Sequence, residues 1–209
     1  MPIYSVEPCC QRRLLPMTTV SPFHDAVIAA TRDWLERAVI GLNLCPFAKG
    51  VYVKNQVRIA VSAATDTDAL LDELERELRH LQETPAAQTD TTVLVVPGLF
   101  ADFDDFVDFL DLAEIVMQTY GFTGELQIAS FHPDYLFADA DSDDDLANNT
   151  NRAPYPTLHL IREASLAKAT AAFPDATEIY ERNIEVARAL GEDGWRALGV
   201  RSGAPAKKQ

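Results

Sequence analysis

The stretch TTVLVVPG, residues 91–98, decides the fold because its pattern is that of one continuous buried strand. Four aliphatic side chains follow one another between two threonines and a Pro-Gly pair that ends the run. An unbroken apolar run rich in β-branched residues is typical of a strand covered on both faces in a parallel sheet. The segment therefore predicts an α/β fold in which helices pack on the sheet.

Strand and helix patterns alternate on either side of this segment. Three further strands are predicted: VRIAVSA (57–63), ELQIASFH (125–132) and TLHLIRE (157–163). Apolar residues at helical spacing predict helices from Ser21-Pro22 to Gly41, from Thr65 toward Pro85, over 101–121, and from about Asp175 to Gly191. Two successive strand–helix–strand crossovers predict a single domain with a four-stranded, mainly parallel or mixed sheet and helices packed on it.

Two of these helices carry more detailed predictions. Thr65 and Asp68 have the spacing of a capping box at the start of the second helix. The third helix is expected to turn these residues toward the core: Phe103, Phe106, Val107, Leu110, Ala113 and Met117.

The domain is predicted to cover residues 21–192. Residues 1–20 are expected to form a disordered N-terminal extension, and residues 193–209 a flexible C-terminal tail. The connection 133–156 between the third and fourth strands is long for a compact domain, and such connections are usually either functional or disordered.

The net charge of the chain restricts the classes of partner that it is expected to bind. Thirty-two acidic residues against eighteen Lys and Arg give a formal net charge of -14. This acidity argues against nucleic acid and against an anionic membrane surface as partners. No apolar run approaches the roughly 20 residues of a membrane span. The three cysteines form no disulfide framework, so we expect a cytoplasmic protein.

Cys45 is the first candidate for chemistry. It lies in GLNLCPFAKG (41–50), an unusually apolar loop, and Pro46 suits the first turn of a helix whose N-cap would be Cys45. Backbone N–H groups at such a position favour a thiolate, which would make Cys45 a nucleophile or a metal ligand. A purely structural cysteine fits the sequence about equally well, because free cysteine is often buried.

His132, in SFHPDY, is the second candidate. It follows the third strand, and open α/β sheets bind ligands beyond such strand ends, so His132 is a candidate base, acid or ligand. A turn histidine is the alternative. His159 lies inside the fourth strand and is expected to be a core histidine. Cys45, His132 and His159 would together suit zinc or iron, but no two of them have a short ligand spacing.

Arg152, in NNTNRAPYP, is a candidate for anion binding. Its guanidinium would hold a carboxylate or phosphate in a bidentate manner. With Tyr155, and with Asn43 and Asn151 as further polar contacts, it would line a site for a small anionic molecule. The alternative is that Arg152 pairs with the neighbouring aspartates.

Four irregular blocks, WLERAVIGLNLCPFA, SFHPDYLF, NRAPYPTLHLIRE and IYERNIEVARALG, resemble a bacterial family catalogued as domain of unknown function 1415. The resemblance covers about residues 22–191. It implies a bacterial, cytoplasmic protein and brings no activity, cofactor or catalytic residue with it. Cys45, His132, Arg152 and Tyr155 all lie inside these blocks.

Three functions remain open on the sequence alone. The first is an enzyme for a small anionic molecule, with Cys45 as nucleophile, His132 as base, and Arg152 and Tyr155 holding the substrate. The second is a non-catalytic protein that binds a metal or small ligand in the same pocket. The third is a structural or partner-binding protein. The sequence specifies neither a cofactor nor an oligomeric state.

Overall fold

The computed structural model describes residues 21–138, 140, 142, 144–171 and 176–200, so the expected extension at 1–20 lies outside the described residues. The strands are β1 (Val57–Val61), β2 (Thr91–Val95), β3 (Leu126–Phe131) and β4 (Thr157–Arg162). The α-helices are α1 (Pro22–Trp34), α2 (Ala48–Tyr52), α3 (Thr67–Glu83), α4 (Phe103–Thr119), α5 (Glu163–Ala171) and α6 (Ala176–Leu198). A π-helix (Leu35–Ile40) continues α1, and a 3₁₀ helix (Leu146–Thr150) lies between β3 and β4.

The four strands form one mixed sheet in the order β1-β2-β4-β3. β1 and β2 are parallel, whereas β4 runs antiparallel to both of its neighbours, with His159 opposite Val93 on one side and Ala129 on the other. Of the two predicted arrangements, the mixed sheet is therefore confirmed. Three strands share one direction, and the last strand is inserted between the second and the third.

Helices cover both faces of the sheet, as the pattern of β2 requires. Alternate residues of β2 point to opposite faces, and all five are buried. Leu94 faces the larger core, which α3 and α4 complete, together with Leu158 and Leu160 of β4. Val93 and Val95 face the other side, where they pack with Val27 of α1. The domain thus has three layers, with the sheet between helices on its two faces.

The sequence places Leu70, Leu71, Leu74, Leu78 and Leu81 at helical spacing along α3, and all but the partly buried Leu71 form its buried stripe, but the cap is not the one predicted. Leu70, Leu74, Leu78 and Leu81 are all fully buried. The N-cap residue is Asp66, whose carboxylate accepts a hydrogen bond from the backbone N–H of Ala69 at 2.9 Å. The predicted Thr65–Asp68 pair is one residue out of phase with this start.

The predicted core face of α4 is confirmed except at one position. Phe106, Ala113 and Met117 are buried as expected, and Phe103 and Leu110 are partly buried and pack against the same core. Phe109 is also buried, although it was not predicted, whereas Val107 is 43 % exposed. Successive residues differ by about 100° around a helix, so Val107 lies outside the face on which 106, 109, 113 and 117 lie.

The C-terminal part of the chain differs most from the prediction. The strand expected to reach 163 ends at Arg162, and α5 follows at once. At Gly191, where the last helix was expected to end, φ is +69°, but a further helical segment continues to Leu198. Trp195 donates a hydrogen bond to the Ala187 carbonyl at 3.1 Å and packs on the core. The predicted helix end at Gly191 is thus a break between two helical segments, and the second segment is packed helix where a flexible tail was expected. Residues 201–209 of that expected tail lie outside the described residues.

Membrane insertion was not expected from the sequence. Within the part of the chain that the structure describes, no helix combines the length and the apolarity needed to cross a bilayer.

The position of the α3 cap gives a testable prediction. We expect Asp66→Ala to lower the free energy of unfolding by about 1 kcal/mol, because it removes the acceptor for the Ala69 N–H. The exposed neighbour Thr65→Ala is the matched control and should change it by less than about 0.5 kcal/mol. Urea denaturation measures both. A larger loss for Thr65→Ala than for Asp66→Ala would contradict the observed cap.

Candidate functional site

The loop 41–50 begins at the end of the π-helix and folds back onto it. The carbonyl of Val39 accepts from the backbone N–H groups of both Leu44 (2.9 Å) and Cys45 (3.4 Å). Asn43 has φ = +54°, a left-handed conformation that asparagine tolerates better than most residues. Leu44 is thereby turned into the core, where it is buried. This accounts for much of the apolar character of the loop.

Cys45 is not a helix N-cap residue, which corrects the sequence-based prediction. α2 begins at Ala48 with Phe47 as its N-cap, and the Ala48 N–H donates to the Cys45 carbonyl at 3.2 Å. Pro46 therefore lies in a turn before the helix. The first-turn N–H groups do not converge on the Cys45 sulfur, so the argument for a thiolate from helix capping is lost.

The α6 helix fixes this loop through its main-chain carbonyls. The guanidinium of Arg182 donates to the Leu42 carbonyl at 3.2 Å and to the Asn43 carbonyl at 2.9 and 3.0 Å. The side-chain amide of Asn183 donates to the Leu44 carbonyl at 2.7 Å. Three consecutive carbonyls immediately before Cys45 are therefore held by two adjacent side chains of another helix.

Cys45 itself is partly buried, and it lies on the α1 side of the sheet. It packs against a cluster in which Trp34 and Ala153 are buried and to which Phe131 of β3 contributes. Tyr52 of α2 packs on the same cluster and donates to the Glu36 carboxylate at 2.6 Å. Burial, followed by that hydrogen bond and charge, raises the pKa of Tyr52 to about 12, so its phenol stays protonated.

His132 lies on the opposite face of the sheet. Its ring is 1 % exposed and stacks on Phe106 of α4, with a ring centroid distance of 5.3 Å. Nδ1 accepts from the Asp134 N–H at 3.0 Å, so Nε2 carries the proton and donates to the Phe100 carbonyl at 2.9 Å. Both ring nitrogens thus hold neighbouring turns together. The structure does not bring His132 and Cys45 together.

The residues predicted to bind an anion are engaged in contacts within the protein. Arg152 Nε donates to the Tyr135 carbonyl at 3.2 Å, and the Asn151 carbonyl accepts from the His132 N–H at 3.3 Å. Tyr155 is buried with Val27 in the core beneath α1. The backbone of Asn43 is clamped by α6, while its side chain is exposed. Tyr155 thus lies in a different apolar cluster from the one against which Cys45 packs.

His159 lies within the sheet, as the sequence predicted. Its Nε2 is 2.6 Å from the Thr91 hydroxyl, which itself donates to the Leu160 carbonyl at 2.6 Å. Burial lowers the pKa of His159 to about 4, so the ring is neutral at neutral pH. Among the described residues no three His, Cys, Asp or Glu side chains are grouped as metal ligands, and the proposed Cys45–His132–His159 set is not assembled.

The connection 133–156 is longer than the topology requires. β3 and β4 are antiparallel neighbours, and Phe131 lies directly opposite Thr157, so a short turn would join them. Instead the segment forms a 3₁₀ helix, which packs on α6. Asn148 is fully buried there, and its side-chain oxygen accepts from the Phe137 N–H at 3.0 Å. We call residues 41–50, 131–137 and 145–156, with α6, the loop assembly.

Sequence reasoning missed the residues that hold the loop assembly in place. Arg182 and Asn183 fix the loop 41–50, and Arg188 of α6 forms an ion pair of 2.7 Å with Asp145 at the start of the 3₁₀ helix. The only indication of these residues in the sequence was the block IYERNIEVARALG, in which polar residues recur along one predicted helix. Nothing in that block shows which carbonyls they bind.

The irregular loop segments 41–50, 131–137 and 145–156 all lie within the range that a family model matches. The chain belongs to the family described as "Protein of unknown function (DUF1415)", whose model matches residues 26–197. That range includes all of the loop assembly except Leu198, the last residue of α6. No curated protein and no solved structure matches the chain.

The neutral state of His159 predicts how stability depends on pH. Since its pKa is lowered from 6.5 to about 4 on folding, only the unfolded chain gains a proton between these values. The contribution of neutral His159 to the free energy of unfolding is therefore intact above about pH 6.5 and is lost as the pH falls toward 4. We expect a slope of at most about 1.4 kcal/mol per pH unit from this residue.

The measurement is the free energy of unfolding between pH 7.5 and about pH 3.5 for the wild type and for His159→Gln, a range that brackets the two pKa values. The variant should show the shallower decrease. His80→Gln, at an exposed position on α3, controls for the loss of a histidine. Parallel curves for the wild type and His159→Gln would contradict the assignment.

The clamp on the loop 41–50 gives a separate prediction. Arg182→Met should lower the free energy of unfolding by about 1–3 kcal/mol, because the Leu42 and Asn43 carbonyls lose a charged hydrogen-bond donor. Exchange of the backbone amides of residues 42–47 should also become faster, which hydrogen-exchange mass spectrometry measures. Arg196→Met on the same helix removes only a surface ion pair and should cost less than about 1 kcal/mol. Equal effects of the two variants would rule out a specific clamp.

Proposed function

We propose that the loop assembly is the binding site for a small molecule and that the Cys45 thiol is its reactive group. The observation that carries the proposal is the structure of the described part of the connection 133–156. Two strands that a short turn would join are instead linked by a long connection whose residues 144–156 include a 3₁₀ helix with a fully buried asparagine. Long ordered loops on a rigid scaffold are where binding and catalytic groups are commonly placed.

The immobilisation of the thiol supports its assignment as the reactive group. The carbonyls of Leu42, Asn43 and Leu44 are held by α6, so the next residue, Cys45, has a fixed position. The thiol is partly buried, which leaves it open to a small reagent. A reactive group that is positioned before the substrate binds reduces the entropy lost on reaching the transition state.

The proposed role of Cys45 is that of a nucleophile acting without His132. Neutral His132 lies on the other face of the sheet and is used in two internal hydrogen bonds. The proposed anion contact moves accordingly from Arg152 to Lys49, which is exposed one turn beyond Cys45. A small molecule with a carboxylate or phosphate group beside an electrophilic carbon would suit this pair of residues.

A non-catalytic site in the same place is the second candidate. It requires the same fixed loop and the same Lys49 contact, but no reaction at sulfur. The ordered connection and the clamp support it equally. The two candidates differ in whether a bound molecule becomes covalently attached to Cys45, which intact-mass measurement distinguishes.

The test is the rate of Cys45 alkylation by iodoacetamide at pH 7, followed by peptide mass spectrometry on the full-length chain with glutathione as the reference thiol. We expect Cys45 to react faster than glutathione, and inorganic phosphate or small carboxylates to slow its reaction. Lys49→Gln should abolish that protection, whereas Lys54→Gln, at an exposed lysine in the turn after α2, should retain it. Retained protection in both variants would exclude the Lys49 contact.

The proposal would be overturned if Cys45 had a purely structural role. In that case alkylation would be slower than that of glutathione and insensitive to any added anion. Cys45→Ala would then lower the free energy of unfolding by about 1 kcal/mol or more through lost packing. Under the proposal, Cys45→Ser changes stability by less than this and abolishes labelling at that position.

A further inference from the structure

The outward face of α4 combines exposed aliphatic side chains with carboxylates. Val107, Leu112 and Ile115 are 43 %, 39 % and 56 % exposed. The acidic residues of this helix are all exposed: Asp104, Asp105, Asp108, Asp111 and Glu114. The helix contains no Lys or Arg. We call this surface, formed by the eight residues named here, the α4 face.

The two kinds of side chain are interleaved in rows along the helix. Val107, Asp111 and Ile115 follow one another at intervals of four residues, and Asp104, Asp108 and Leu112 form the adjacent row. Rows at this spacing are the ridges that interdigitate when two helices pack. Each ridge of the α4 face therefore offers both an aliphatic contact and a negative charge.

The carboxylates of the α4 face are not neutralised from within the described part of the chain. Among residues 21–138 and the later described segments, the ion pairs join other residues, such as Arg58 with Glu77 and Arg79 with Glu75. The five charges are therefore available to an external cation. The apolar residues between them would otherwise remain exposed to water at a cost of about 25 cal/mol per Å² relative to burial.

We propose that the α4 face binds a cationic amphipathic helix of another protein. Lys or Arg residues of that helix would lie beside Asp104, Asp108 and Asp111, and its aliphatic residues would cover Ile115 and Val107. A second copy of this chain is a poor occupant, because it would bring five further carboxylates against the five already there. Nucleic acids and anionic membranes would be repelled for the same reason.

The experiment measures binding of a defined probe to the full-length protein. The probe is a fluorescent synthetic helix of about 18 residues, five turns, with leucines on one face and lysines beside them. A scrambled peptide of the same composition, without an amphipathic face, is the control ligand. Fluorescence anisotropy should show binding of the amphipathic peptide that weakens as NaCl is raised, and at least tenfold weaker binding of the scrambled one.

Matched variants locate the binding site. Ile115→Ala should weaken binding about fivefold or more, because it removes the most exposed aliphatic side chain of the face. Asp108→Asn with Asp111→Asn should weaken it at least as much. Asp72→Asn with Glu83→Gln removes two exposed charges from α3 and should leave the affinity within twofold. Circular dichroism confirms that each variant is folded.

Three results would overturn the proposal. Equal losses for the α3 and α4 charge variants would show attraction to net charge alone. Equal binding of the scrambled peptide would show that no amphipathic face is recognised. A dimer in sedimentation that Ile115→Lys dissociates would make a second copy the occupant. None of these results bears on the alkylation of Cys45, so the two proposals stand or fall separately.

Discussion

Complete burial of β2 is the constraint on which the rest of the domain depends. A strand with apolar side chains on both faces must be covered from both sides, and the backbone groups on both of its edges must be paired. α3 and α4 supply one cover and α1 the other. β1 pairs with one edge of β2, and β4 pairs with its other edge. The three-layer architecture follows from this one strand.

The insertion of β4 explains why a long connection is available for other purposes. Because β4 lies beside β3 in the antiparallel sense, the chain leaves and re-enters the sheet at adjacent points. The connection has no distance to span, so its length is free to build the 3₁₀ helix and the contacts with α6. α6 in turn holds the loop that precedes α2. The central sheet and the loop assembly are thus two structurally distinct parts of one domain.

The sequence was informative where one local pattern determined the outcome. The run at 91–98 and the leucine stripe of α3 needed no distant contact to be interpreted. On α4 the sequence placed Val107 rather than Phe109 in the core, because both are apolar and only packing decides between them. α5 was missed because EASLAKATA has high helix propensity but no distinct apolar face. Helix caps differ by single residues, as Asp66 shows.

The arrangement of the predicted site depended on contacts that the sequence does not contain. Strand alternation places Phe131 and His132 on opposite faces, which in principle separates His132 from a residue packed on Phe131. The face on which Cys45 lies, however, is decided by bonds such as that from Asn183 to Leu44, which are 139 residues apart in the chain. Likewise, the sequence singled out Arg152 as an anion-binding residue but could not show its hydrogen bonds to the Tyr135 carbonyl and the Asn149 side-chain oxygen.

The late position of β4 in the chain also has a consequence for synthesis. While the ribosome is still adding the residues after Phe131, the inner edges of β2 and β3 have no partner, although both strands already exist as sequence. Unpaired edges of apolar strands are prone to pair with other chains. The emerging protein must therefore keep β2 protected until Arg162 has left the exit tunnel, either by delaying collapse or by chaperone binding. Translation speed through 133–156 sets how long that exposure lasts.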